Sequence, residues 1–461
     1  MKVANKDVII GWALYAGALF ALTWPLWTYG FPLLYSDSGT YLLAAKWGGV
    51  PIDRPFAYSK FLVSFSNWFG VHALPIIQAF MVLFLGKRFL NAFILKDAPS
   101  WIVPSIFILL SILTGLPHLV CQLMPDLFTP FILLLIWELI HKQNRGVRRL
   151  SLWVLLLFII ATHTSHLLLG LGLVPLIICI VWVQKRRLSW LRFAYILPIL
   201  IIIPTINMIK SGRFYYSDSS KVFFVASLQT AGVLSPWLEK HCGEDIAPVF
   251  LCENQEVLKN MEGNDVLWGS DILTDSACLA DGGWGYCWRV RNEELSPLMG
   301  AWWKDSETLT AWLKYAWSAT WEQAFNFGIG MISSQKEGSA PYSVLEQYFP
   351  EDAALYQKSD QFDHDLYFHM QTQTQWWTIL LSILSFPILI VIAMKKGIWK
   401  KEWTSMLVCL FLFLLANAAV CGVLSNPVDR YQARVIWLIP FFLLAFSMSV
   451  FRKAYVHRKE A

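Results

Sequence analysis

Charge is what this chain has least of. Only 15% of its 461 residues are Asp, Glu, Lys or Arg, against roughly 25% in a soluble globular protein. That shortage excludes an ordinary soluble domain, and the 56% hydrophobic content shows what replaces the charge. With 21 proline and 26 glycine residues, both near average, the excess is lipid-soluble side chain and not low complexity. No small-residue cleavage site follows the apolar stretch Val8–Trp27, so an uncleaved first span is expected instead of a signal peptide. Paired C-x-x-C knuckles are missing, which argues against zinc, and no nucleic acid is expected as a partner. Tryptophan, in contrast, is abundant at 24 residues, and it is favoured at membrane–water boundaries.

Apolar runs at 8–29, 72–86, 101–119, 127–141, 151–162, 167–184, 191–209, 376–394, 403–424 and 433–451 predict a polytopic α-helical membrane protein with about ten transmembrane helices. Several runs fall short of the ~20 residues a straight span needs. The pairs 101–141 and 151–184 read as tight hairpins, with re-entrant loops as the alternative. The connections Lys87-Arg88, Lys142 to Arg149, Lys185-Arg186-Arg187 and Lys395 to Lys401, with the tail Arg452 to Lys459, are basic and all fall on one side when ten spans are threaded. By the positive-inside rule that side is the cytoplasm, with both termini there. It carries about 21 of the 37 Lys and Arg. Short basic loops and a compact length favour a bacterial inner membrane.

Three regions follow. Residues 1–209 form an N-terminal membrane module of seven spans, with a first outer loop at 30–70; residues 376–461 form a C-terminal module of three. Between them, 210–375 is an extracytoplasmic (periplasmic) acidic domain of mixed texture. Residues 211–375 hold 23 of the 32 acids and 10 of the 37 bases, a net charge near −13. Helical periodicity appears at Thr308–Phe327 and more weakly at Pro341–Gln357. Cys242, Cys252, Cys278 and Cys287 lie here, an even number on the oxidising side, which points to two disulfides. Three pairings are possible; Cys242–Cys252 with Cys278–Cys287 is the local choice. Trp302-Trp303 and Trp376-Trp377 read as interfacial anchors ahead of sugar-stacking platforms.

Few ionisable residues sit at the outer membrane face outside that domain: Asp37, Asp53, Asp126 and Asp429, with Lys46, Arg54, Lys60, Lys210, Arg430 and Arg434. Such groups are costly at membrane level unless paired or facing a watery cavity, so each is a site candidate against the alternative of a solvated loop charge. Asp37 follows the first span in Tyr35-Ser-Asp-Ser-Gly-Thr-Tyr41, where Asp or Ser is placed to cap a helix starting near Gly39. Thr40–Trp47 and Phe61–Phe69 then read as two interfacial segments. His163 and His166 flank a turn and suit a metal or a phosphate, although no third ligand is evident and turn residues are the plainer account.

This layout resembles the GT-C glycosyltransferases, which use polyprenyl-phosphate sugars and include the protein O-mannosyltransferases and the lipid A aminoarabinose transferase. Asp37, Tyr41 and the stretch Arg54-Pro-Phe-Ala-Tyr58 match that family's first loop in order and spacing, Met124-Pro-Asp126 its second acid, and Asp429-Arg-Tyr431 its Arg-Tyr before the last span. Ser38 stands where many members have a second acid, so no paired-acid motif supports a divalent cation, and no metal or cofactor is expected. The resemblance implies inverting transfer of a sugar from a polyprenyl-phosphate donor to a glycan, lipid or protein acceptor outside the cytoplasm. Asp37 would be the general base, its pKa raised by desolvation, and Asp126 would assist. Arg54, Arg430 and Arg434 would clamp the phosphate, with Lys60 and Lys210 behind them. Tyr41, Tyr431, His163 and His166 complete the binding set. The alternatives are a non-catalytic assembly or anchoring protein, and a carrier or flippase for a lipid-linked intermediate. For the carrier the spans lack ionisable residues near their centres, Glu138 alone coming close.

Overall fold

The computed structural model describes residues 2–96, 98–142, 146–185 and 190–460; part of the predicted basic loop Lys142 to Arg149, and Arg186 and Arg187, lie outside the described residues. Helix dominates, as it must where backbone groups face lipid and cannot bond water. Six helices are long and apolar enough to cross a membrane: Val71–Phe93, Thr164–Gln184, Phe193–Ser211, His369–Lys395, Lys401–Leu424 and Asp429–Lys453. The chain is a helical membrane protein on that basis.

The other predicted runs are also helical: 151–162 lies largely in Gly146–Ile160, and the remaining three carry visible breaks. The first apolar stretch lies in the helix Lys2–Leu22, breaks at Thr23 and restarts as Trp24–Tyr29 with Pro25 in its first turn. The run at 101–119 breaks after Leu113: Thr114 is extended, and a new turn, Leu116–Cys121, starts with Pro117. Thr129–His141 follows a 3-10 turn at Pro125–Phe128, and twelve of its 13 residues are buried. A helix apolar on every side belongs inside a bundle; this one is sheathed by its neighbours. Its only acid, Glu138, accepts two hydrogen bonds from Arg88 at 3.1 Å and pairs with Arg148 at 3.4 Å.

The 210–375 segment, expected to be mixed, is helical too. Among the described residues its strands are the two-residue pair Met331–Ile332 and Leu366–Tyr367, antiparallel. Residues from Val222 to Trp302 build a core of their own around Trp237 and Trp288. Tyr342, Leu345, Phe349 and Tyr356 instead join the core of the membrane bundle. The expected helix at Thr308–Phe327 is found at Ser306–Phe325, capped by Asp305. The weaker one splits into Ala340–Tyr348 and Pro350–Tyr356, because Pro350 cannot continue the first.

Both local disulfides are present, Cys242–Cys252 and Cys278–Cys287. The second pair sits within one helical stretch, Ser276–Glu294, where nine residues of straight helix would separate the cysteines by about 13 Å. Gly283, at φ 73°, folds the stretch back and brings their Cα atoms to 5.5 Å.

Long-range polar ties lock the 30–70 loop to the later segment. Gln361 accepts from the Leu34 N–H at 2.9 Å and donates to the Leu34 carbonyl at 2.6 Å. Asp352 accepts from the N–H groups of Val71 and His72 at 2.9 and 3.1 Å, capping the entry to the Val71–Phe93 span. Gln78, buried in that span, accepts from the Tyr58 hydroxyl and donates to the carbonyls of Val120 and Gln122. These ties position the residues described next.

Candidate functional site

The chain runs extended through Leu33, which forms a parallel bridge to Gln122, and then turns into the helix Ser36–Trp47. That helix starts three residues before the expected Gly39. Ser38, not Asp37, secures its first turn: its hydroxyl accepts from the Tyr35 N–H at 3.0 Å and donates to the Leu123 carbonyl at 3.1 Å. The start of the helix is thereby pinned to the turn that carries Asp126. Asp37 projects from the first turn, where the helix dipole favours a carboxylate. Gly39 is where Ala340–Tyr348 crosses: a Cβ there would stand 2.8 Å from the Pro341 nitrogen.

Asp37 lies between two arginines. One carboxylate oxygen accepts from Arg54 at 2.5 Å and the other from Arg430 at 2.8 Å. Arg54 comes from the turn before the helix Ala57–Phe69, and Arg430 from the helix Asp429–Ile436, 393 residues away from Asp37 in the chain. Tyrosine rings back both guanidinium groups: Tyr41 lies 5.5 Å from Arg54, and Tyr35 and Tyr431 lie 5.3 and 5.1 Å from Arg430. Burial alone would raise the Asp37 pKa, but Arg54 and Arg430 outweigh it and hold the carboxyl below its ordinary value. This corrects the expectation of a raised pKa, which took account of desolvation without the two cations.

Asp126 and Arg434 form a second pair at 2.6 Å, and the two are sealed, at 2% and 0% side-chain exposure. Every guanidinium nitrogen of Arg434 is engaged: Nη1 with Asp126, Nε with Asn417, and Nη2 with Asn417, Ser165 and the Cys421 thiol. Burial works against the Asp126 charge, yet Arg434, Arg430 and the remaining partners bring its pKa down to about 2. A guanidinium with every nitrogen engaged and no exposed surface is out of a phosphate's reach, so Arg434 is a brace and not a clamp. Asp126, spent on that brace, orders the site's floor.

The remaining predicted residues divide. Tyr41 is buried in the cluster beside Arg54, and the Tyr431 hydroxyl meets Ser425 and Arg430. His163 is partly exposed, with Nδ1 3.2 Å from the Ser165 N–H and 2.9 Å from its hydroxyl. His166 is fully buried: Nδ1 is 2.8 Å from the Ile159 carbonyl and Nε2 is 2.8 Å from the Thr129 hydroxyl, so both nitrogens serve packing. Lys210 bonds the Gly48 carbonyl over the Phe56 ring, and Lys60 is exposed on its helix; neither touches the cluster. Asp429 accepts from the Gly328 N–H. Among the described residues no group of three or more His, Cys, Asp or Glu is placed to hold a metal ion.

Asp53, one of the acids singled out by their rarity at the outer face, lies 3.2 Å from Arg54, and burial raises its pKa against the pull of that arginine. Tyr35, Ser165 and Asn417 were invisible as site residues because each acts only through a partner distant in the chain or through its ring face. Asn417 alone left a trace, as a polar residue inside an apolar span.

No protein-family model, curated protein or solved structure matches this chain. The site must therefore be judged on its own chemistry. Three arginines face three acids, Asp37, Asp53 and Asp126, so the charges of the cluster balance. It is closed at the Asp126 end and open at the other, where Asp37 and Arg54 are each 14% exposed and Arg430 is 21% exposed. The pair of arginines at that mouth suits a phosphate oxygen as well as it suits a carboxylate.

Proposed function

We propose that the protein is a membrane glycosyltransferase of the GT-C type. It would transfer a sugar from a polyprenyl-phosphate donor to an acceptor hydroxyl on the extracytoplasmic side. The observation that carries this reading is the open end of the cluster: one carboxylate held between two partly exposed arginines, beside two juxtamembrane helices. Those helices present Leu43, Trp47, Trp68 and Phe69 outward, as segments lying in the membrane interface would.

In this reading the ten apolar helices make ten crossings, with both termini cytoplasmic and the large loop outside. The exposed row Leu313, Trp317, Trp321 and Phe325, at four-residue spacing on Ser306–Phe325, rests in the outer interface, as do Trp376 and Trp377.

The donor's phosphate displaces Asp37 from Arg54 and Arg430. With its cations shared, and still desolvated, Asp37 loses what held its pKa down and becomes a competent base. It takes the proton of the acceptor hydroxyl as that oxygen attacks the anomeric carbon. The bond from that carbon to the phosphate oxygen breaks, and the electron pair leaves on polyprenyl phosphate, whose new charge the two arginines receive. Attack from the face opposite the phosphate inverts the anomeric centre. The test is transfer from a radiolabelled polyprenyl-phosphate sugar by purified protein. Asp37→Asn should lose about 10²- to 10⁴-fold in turnover, and Arg430→Ala should weaken donor binding at least tenfold. Full turnover by Asp37→Asn would remove the base and the proposal with it.

A further inference from the structure

A cavity of about 210 Å³ opens where the Ile102–Leu113 helix meets the start of His369–Lys395, lined by Trp24, Ser111, Ile112, Thr114, His118 and Gln371. It shares no lining residue with the arginine cluster. His118 is its unexplained member. The residue is 1% exposed, yet neither ring nitrogen has a hydrogen-bond partner. Trp24 and Phe368 hold the ring edge-on, at centroid distances of 5.2 and 4.5 Å. A neutral imidazole offers one donor and one acceptor, and native proteins seldom leave both unused in a buried place. Ser111 and Thr114 donate to the carbonyls of Phe107 and Leu110 in their own helix; the Thr114 oxygen also accepts from the Leu116 N–H at 3.3 Å, so the Ser111 oxygen is the freer acceptor.

No Asp, Glu, Lys or Arg lines this cavity. A phosphate, carboxylate or ammonium would sit there without a counter-charge, which is costly away from bulk water. The complement to the lining is an uncharged group rich in hydroxyls. Trp24 supplies an apolar face for the carbons of such a group, and Ile112, exposed on the bundle surface, marks a mouth toward the lipid. The volume equals about seven water molecules at roughly 30 Å³ each, room for one sugar ring. We infer that this cavity binds a neutral polyhydroxylated head group, with His118 donating to one hydroxyl and accepting from another.

The same chemistry is offered by a membrane glycolipid or by a free sugar, and one experiment separates them. Full-length protein is taken by native mass spectrometry from nanodiscs holding equal amounts of monoglucosyl-diacylglycerol and phosphatidylglycerol. The glucolipid should be retained preferentially. His118→Phe, which keeps a ring but removes both nitrogens, should cut that preference roughly ten- to thirtyfold, the worth of two neutral hydrogen bonds. Ile112→Trp should do the same by blocking the mouth, and it carries the test if His118→Phe does not fold. Displacement by millimolar glucose assigns the site to free sugar; retention against glucose assigns it to the lipid. Equal retention of both lipids by the unaltered protein, or a preference unmoved by either substitution, would mean water only and would overturn the inference. Asp37→Asn should leave retention intact, so the transfer reading and this one fail separately.

Discussion

Replacing Asp126 by asparagine leaves the shape of the buried pair and removes one charge. Arg434 would then be a fully buried cation facing the introduced amide, Asn417, Ser165 and Cys421, all neutral. Breaking a buried ion pair from one side costs about 3–5 kcal/mol; the retained amide oxygen places this change near the lower end. Arg434→Met strands the Asp126 carboxylate in the same way and should cost as much. The double variant Asp126→Leu with Arg434→Met removes both charges and keeps the volume. It forfeits mainly the Asn417 oxygen's partner, about 1–3 kcal/mol. The double variant should thus be no worse than either single one, a loss well short of the sum of the two. Cys121 and Cys409 are buried and free, while Cys179 is exposed. A thiol-reactive fluorophore therefore reads unfolding in detergent above a fixed baseline. Apparent Tm should fall by roughly 6–10 °C for each single substitution, at about 2 °C per kcal/mol, and by less for the pair. Additive losses would refute the view that the two residues are a closed brace.

Acid should act on the same brace. The Asp126 pKa is depressed to about 2, so its contribution is complete above the ordinary carboxylate range and is lost as pH falls from about 4 through 2. Apparent Tm measured across that window should drop, with a shallower slope in Asp126→Asn. Gly39→Val drives a side chain into the Ala340–Pro341 backbone and should cost about 1–3 kcal/mol, or displace that helix; a Tm equal to the parent's would show that the crossing is loose. Reduction should release four thiols from the Val222–Trp302 unit. It should lower that unit's stability by about 2–3 kcal/mol per short loop, as read by mass after alkylation and by protease resistance.

What was legible in the sequence is what short-range physics governs. The apolar runs became helices near their expected positions because hydropathy acts residue by residue. The helix at Ser306–Phe325 followed from periodicity, and the disulfides followed proximity, helped by Gly283. Helix lengths were less legible: Pro117 and Pro130 mark breaks, but only packing shows that Thr129–His141 is sheathed by its neighbours.

The site divides along the same line. Sequence named Asp37, Arg54, Asp126, Arg430 and Arg434 from their rarity at membrane level, because an unpaired charge there is costly whatever its neighbours. It could not assign partners. Asp37 meets Arg430 across 393 residues and Asp126 meets Arg434 across 308, distances over which no pattern in the chain carries information. Tertiary structure alone decided that one pair is open and the other sealed, and that Asp37 rests with a lowered pKa. The reason is that a pKa depends on the sum of burial and neighbouring charge, and that sum exists only once the helices have packed.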